Sequence, residues 1–329
     1  MAGAACGFYV ARMTQMQMRL ALALSGVLLL CSSADAGSSH RPVVVELFTS
    51  QGCSSCPPAD ALLGRLSQRR EVLAISLPIT YWDMLGWKDT LASETNTRRQ
   101  KAYAHVLGRG GVYTPQMIVD GVDDVVGSRE ADVETTIARH AAQIAASAAR
   151  LDAAEAAREA RLAAQEARNA ARDAQLVRAS VLQEQEPAGS ASRWGKSGST
   201  VEAVHRNVVP LAVPVMVQED PTAMHIAIGA AEGARNTAAT VWLYHLRNAV
   251  TVNVGAGENE GRTMTYHNVV GDLRPVGKWS GEAATIDVPR AALAGLPHDS
   301  IAVVVQEGGG YGQVVGATLL SHPDYDESH

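Results

Sequence analysis

A chain of 329 residues, 47% hydrophobic and with a formal net charge of -6, is long enough for about two ordinary domains and a sizeable core. The acidic excess is small and no long basic run occurs, so nucleic acid is not an expected partner.

The first element is a leader. Arg12 and Arg19 precede LALALSGVLLL, and SSADAGSS follows, with Ala34 and Ala36 at the small-residue positions of a cleavage site. Residues 1–36 read as a signal peptide, with Met16 or Met18 as an alternative start. The apolar run falls short of the roughly 20 residues of a membrane span, and no other stretch comes near that length, so no stable membrane span is expected. Leu30 speaks against a lipoprotein signal ending at Cys31, because a small residue belongs there. The chain is expected to be periplasmic or secreted. Cys6 and Cys31 fall in the leader, so only Cys53 and Cys56 of the four cysteines stay in the mature chain.

Residues 40–135 alternate strand-like runs (RPVVVELF, VLAISLPI, QMIVDG, DDVVGS) with helical stretches, the βαβ pattern of a mixed sheet flanked by helices. PPADALLGRLSQRR is the first helix, with Ala59, Leu62, Leu63 and Leu66 on one face and its prolines in the first turn. Residues 136–186 are rich in Ala, Arg and Glu and almost free of Gly and Pro, which predicts one long helix or two joined ones. Ile137, Ile144, Leu151, Leu162, Asn169 and Leu176 suggest a broken coiled-coil seam, and with it self-association through this helix. A solvated helix held by alanine propensity alone explains the same composition. Residues 187–203 are a Gly/Ser linker; GSASRWGKS within it has one residue too many between its glycines for a phosphate-binding loop. Over 204–322, seven or eight short strands separated by turn signals predict an all-β, sandwich-like C-terminal domain.

The chemistry centres on CSSC. A disulfide between residues so close in sequence closes almost no loop and adds little stability, so the pair is better explained by chemistry than as a staple. Cys53 follows a strand and Cys56 falls at the start of the first helix, where free N–H groups and the helix dipole stabilise a thiolate. Cys53 is assigned as the accessible nucleophile and Cys56 as the resolving thiol. Downstream, Thr114 and Pro115 stand directly ahead of a strand in GVYTPQMIVDG, where a cis-proline can hold a loop beside a dithiol.

With these elements in order, the chain resembles the thioredoxin superfamily. VVELFTSQGCSSCPPAD, YWDMLGWKD, YTPQMIVDG and GENEGRTMTYHNVVGDLRPVGKWSG are similar to an uncharacterised family of secreted bacterial proteins with a thioredoxin-like domain followed by a β-rich one. Where that family carries a His and an Asp before Tyr-Trp-Asp, Pro78 and Thr80 stand here. The resemblance implies an α/β thioredoxin-like fold and thiol-disulfide exchange with a protein partner. It also points to Glu46, on the strand before the pair, as a buried carboxylate that relays the resolving thiol's proton. Tyr81, Trp82, Asp83 and Trp87 are candidates for a wall of the substrate groove, though packing of an inserted helix or of the second domain is the commoner use of such aromatics. No cofactor is expected for the exchange reading. Two other classes stay open: a non-catalytic binding or adaptor module with an inert pair, and a copper chaperone using Cys53, Cys56 and a remote His such as His105.

Overall fold

The structure, a computed structural model, describes residues 41–183, 212–231, 238–293 and 299–321. The leader expected over 1–36 and the linker expected over 187–203 lie outside these residues.

β1 (Val43–Thr49) is buried along its whole length because both of its faces are covered. Successive side chains of a strand point to opposite faces. Val43, Val45 and Leu47 meet α1 (Pro57–Leu66) and the opening turns of α3 (Glu130–Gln183). Val44 and Phe48 enter a second core with Tyr103 of α2 (Glu94–Val106). α1 buries Ala59, Leu62, Leu63 and Leu66, the face its sequence period predicts. β2 (Val72–Pro78) runs parallel to β1, while β3 (Gln116–Val119) and β4 (Asp123–Val126) add antiparallel strands on the other side.

The expected N-terminal α/β region and C-terminal β region share one sheet. β7 (Ala239–Asn253) and β8 (Thr263–Trp279) form a long antiparallel hairpin, and β8 joins β2 in parallel at Ser76 and Val269. β10 (Ser300–Gln306) and β11 (Val314–Ser321) continue it, giving the order β11-β10-β7-β8-β2-β1-β3-β4. Only β5 (Val215–Glu219), β6 (Ala223–Ile228) and β9 (Ala284–Pro289) form a second, three-stranded sheet. The sandwich expected over 204–322 is therefore built from one small sheet and one end of a large one. The physical reason is that β7 and β10 are apolar on both faces. Val241, Leu243, Val303 and Val305 pack on the small sheet, while Tyr244, Leu246, Ala302 and Val304 pack on the core beneath α2. A strand apolar on both faces needs a layer on each. The short α4 (Arg290–Leu293) follows β9.

α3 runs unbroken for 54 residues. Val133, Ile137 and Ile144 are buried against α1 and the sheet, so two members of the expected seam belong to the body's core. Beyond it, every described side chain from Asp152 to Arg178 is exposed. No described helix is long and apolar enough to cross a membrane.

His140 of α3 is held between Asp120 and Asp123, at 3.1 Å and 2.5 Å. Asp120 also receives the buried Arg41 guanidinium at 2.7 Å. Burial works against every charge here, yet the hydrogen bonds of the two carboxylates raise His140 above its ordinary pKa. The His140 bond, with Arg41 on one and Arg139 on the other, holds Asp120 and Asp123 below theirs. The depressed carboxylates contribute stability that is present above about pH 4 and lost as pH falls. The raised imidazole contributes stability that is complete below about pH 6.5 and lost as pH rises through its folded value. Thermal midpoints measured across pH should fall on both sides for the wild type, and His140→Gln should make the alkaline fall shallower by removing the imidazole's share of it. Parallel curves for the two proteins would refute this.

Candidate functional site at the head of α1

The loop after β1 turns back on itself through bonds from Gly52 N–H to Ser50 Oγ, Cys53 N–H to Ser50 O and Cys56 N–H to Cys53 O. This folds the pair together, and Cys53 and Cys56 form a disulfide with their Cα atoms 5.4 Å apart. Cys56 is the N-cap of α1, and Pro57 and Pro58 occupy the first turn. Those two prolines remove donors that a helix start would otherwise offer a thiolate.

Sequence reasoning made Cys53 the accessible sulfur, whereas the structure leaves it 1% exposed. The cover comes from distant residues. Asn259, at the tip of the β7–β8 hairpin, donates to Gln51 O at 2.9 Å and Cys53 O at 2.8 Å. Glu258 accepts from Ser54 N–H at 3.1 Å.

The aromatic segment expected to form a wall does meet the dithiol loop. Trp87 donates to Gln51 Oε1 at 2.8 Å. Trp82 lies against Gly52, where an added Cβ would sit 3.2 Å from Trp82 Cβ, and its indole donates to Thr114 Oγ1 at 2.7 Å. Asp83 accepts from Asp89 N–H, and the Asp89 carboxylate accepts from Gln51 N–H at 2.8 Å. Burial raises the pKa of Asp89. Tyr81 packs beside Trp82, with ring centroids 6.4 Å apart. Met84 and Leu85, on the 3-10 turn that follows, are 84% and 45% exposed.

The Thr114–Pro115 bond is cis, as the sequence suggested. Pro115 O accepts from Gly127 N–H, and an added Cβ at Gly127 would lie 3.2 Å from Ala59 Cβ in the first turn of α1. Trp82 on one side and Gly127 on the other thus tie the 114–115 loop to the dithiol end of the sheet. Beside that loop lies an open cleft of about 590 Å³, walled by Arg109, Tyr113, Asp124 and Arg129.

Glu46 is not where the relay needs it. It faces the α2 side of β1, whereas α1 and the pair it carries pack on the other face. Its carboxylate accepts from Arg99 Nε at 2.7 Å, Arg99 Nη2 at 3.0 Å, Tyr244 OH at 3.0 Å and Tyr103 OH. Arg99 is itself ringed by Tyr103, Trp242, Tyr244 and Tyr311, 5.0 to 5.6 Å from each ring centre. This buried ion pair joins β1 and α2 to β7 and the turn after β10.

A different acid is buried on α1, the helix that Cys56 caps. Asp60, four residues after Cys56 on α1, is 4% exposed, and neither of its carboxyl oxygens has a hydrogen-bond partner within ordinary geometry. Burial dominates and pushes its pKa up to about 8, with the Asp89 charge adding to the rise and the Thr49 side chain opposing it. Residues four apart on a helix are neighbours on its surface. The signal was legible, since Asp60 sits among the apolar residues of the inward face. His105 is exposed in the last turn of α2, and among the described residues no three or more His, Cys, Asp or Glu side chains gather to hold a metal ion. The structure does not bring His105 to the cysteines.

Comparison with known proteins adds relatives but no activity. The sequence profile of the DUF1223 family, described as a protein of unknown function, matches residues 44–209 and 188–306. A crystal structure of a protein from Agrobacterium tumefaciens is similar, at 30% identity and a TM-score of 0.56, the match covering 87% of this chain and 97% of that one. HBP35 of Porphyromonas gingivalis matches at 11% identity and a TM-score of 0.45, covering 88% of this chain and 79% of its own. No curated protein matches. With most of its length covered by the family profile, from the dithiol strand through the β-rich region, the chain belongs to the DUF1223 family of proteins of unknown function.

Proposed function

We propose that this protein is an exported, thioredoxin-like thiol-disulfide exchanger that acts on a protein partner through Cys53 and Cys56. The observation that carries the reading is a disulfide at the head of α1 with a buried, unpartnered carboxyl four residues further along the same helix. The strand order β2-β1-β3-β4, with a parallel β1–α1–β2 unit and two antiparallel strands, supports the thioredoxin-like part. Exposed Met84 and Leu85 beside the site favour a protein partner over a small thiol. The exported setting comes from the leader expected over 1–36.

In this reading a partner thiolate attacks Cys53 Sγ. A bond forms between the partner and Cys53, the Cys53–Cys56 bond breaks, and Cys56 leaves as a thiolate. Asp60, protonated at neutral pH, gives that sulfur its proton. In the reverse direction the Asp60 carboxylate takes the proton from Cys56, whose thiolate attacks Cys53 Sγ and releases the partner as a thiol.

The test uses the full chain and reduced, unfolded insulin as well as its disulfide form. Cys56→Ser should accumulate a mixed disulfide with oxidised insulin that dithiothreitol removes, and Cys53→Ser should not. Absence of any adduct from Cys56→Ser would overturn the reading. The adaptor reading has one observation in its favour, the burial of Cys53, and it expects no adduct and no loss of binding in Cys53→Ser.

A further inference from the structure

Both sulfurs are shut away while Ser54 and Ser55 between them are exposed. What covers Cys53 comes from more than 200 residues along the chain, for the Asn259 to Cys53 bond spans 206 positions. The tip that carries it is a compact turn. Val254 N–H donates to Arg262 O and Gly261 N–H to Val254 O, and Gly257 and Gly261 take positive φ angles of 79°. It is seated on Trp87, since an added Cβ at Gly255 would lie 2.9 Å from the indole and one at Gly257 3.4 Å from Trp87 Cβ. Tip, Trp87 and Gln51 thus form one layer over the disulfide.

The polar contacts of this layer are unequal in kind. Asn259, fully buried, binds two carbonyls and makes a neutral latch. Glu258 places a carboxylate on Ser54 N–H, the amide next to Cys53. A disulfide sulfur carries no charge and tolerates that neighbour. Once the pair is reduced, a Cys53 thiolate competes with Glu258 for the same few amides, and the two negative charges repel. Pro57 and Pro58 sharpen the competition because the first turn of α1 has no N–H at those positions.

We propose that the tip of the β7–β8 hairpin is a redox-coupled gate on the dithiol, closed while Cys53 and Cys56 are bonded and released when Cys53 becomes a thiolate, with Asn259 as latch and Glu258 as the sensing charge. The gate rests on the exchange reading above and concerns its regulation. An external dithiol that reduces the pair supplies two electrons and two protons and closes its own disulfide; Cys53 then loses its proton to solvent. Because the effect is a coupling between two equilibria, tip closure must favour the oxidised pair to the same degree that oxidation favours closure.

Hydrogen exchange at residues 255–261 tests this on the full chain, oxidised and after reduction by dithiothreitol. The wild type should exchange about tenfold faster when reduced, and a Cys53→Ser/Cys56→Ser chain, which has neither bond nor thiolate, should stay slow. Glu258→Gln keeps an oxygen for Ser54 N–H but removes the charge, and should erase most of the redox difference. It should also shift the pair's reduction potential to a less negative value, a readout that a purely structural contact would not move. Asn259→Ala should speed reduction of the disulfide by dithiothreitol about tenfold. Equal exchange in the two redox states of the wild type overturns the gate even if Cys56→Ser traps insulin. A redox-dependent tip without any trapped insulin leaves the gate standing and removes the exchange reading instead.

Discussion

Arg99→Leu is expected to lower the unfolding free energy by about 3–5 kcal/mol, the cost of leaving a buried carboxylate without its counter-charge. Glu46 and Arg99 meet through two bonds with both side chains only 2% exposed. Arg99 also donates to Gln306 Oε1 at 2.9 Å and to Tyr103 OH at 2.9 Å. Burial alone would lower the pKa of Arg99, but Glu46 and the surrounding phenol oxygens hold it well above its ordinary value. The Tyr103 and Tyr244 hydroxyls are pushed up by burial and by Glu46. The guanidinium therefore keeps the Glu46 carboxylate, Gln306 Oε1, Tyr103 OH and Gly310 O in one dry space. Arg99→Lys should recover little, because a single ammonium does not reproduce the fork or the stacking. Glu46→Leu together with Arg99→Leu should recover much of the loss, since removing both charges leaves neither one unpaired. Urea unfolding of the three variants decides the matter. A loss below about 1 kcal/mol for Arg99→Leu would mean that the aromatic ring packing alone holds these elements together.

Asp60→Asn is expected to slow the exchange reaction by about 10² or more while making the fold more stable. Both effects come from one property, the burial of a carboxyl without a partner. A group whose pKa is raised from 3.8 to about 8 holds its proton more tightly in the folded chain than in the unfolded one. Its favourable linkage is complete below about pH 4 and is lost as pH rises toward 8, so the folded chain carries a penalty at neutral and alkaline pH. Asparagine cannot ionise and escapes it. The midpoint of urea unfolding should therefore rise in Asp60→Asn, and more at pH 8 than at pH 5. The reaction should lose its inflection near pH 8, because the group that exchanges a proton with Cys56 is gone. Unchanged turnover with an unchanged pH profile would remove Asp60 from the mechanism. Glu46→Gln serves as the control, with stability falling and the inflection near pH 8 kept.

Local patterns were legible in the sequence. The run of β-branched residues ahead of CSSC announced β1, the spacing of Ala59, Leu62, Leu63 and Leu66 announced the buried face of α1, and a stretch free of Gly and Pro announced α3. Each of these depends on neighbours a few residues away, which is where side-chain period and backbone propensity act. The pair at the start of a helix followed by Thr114 and Pro115 ahead of a strand was local in the same sense. Alternation along β1 separated Val45 and Leu47 from Glu46, but it left open which face would meet α1 and which would meet α2.

Tertiary structure decided the rest. Glu46 is an ion-pair partner because α2 and β7 close over its face, and the polar stretch ETNTRRQKAYAHV holds no local sign that Arg99 would be buried there. Asp60 has an elevated pKa because tertiary packing buries the face of α1 on which it sits. Ser76 beside Val269, and Asn259 over Cys53, are pairings between segments some 200 residues apart. Their existence depends on which apolar faces find one another when the chain collapses, and a window of neighbouring residues carries no record of that choice.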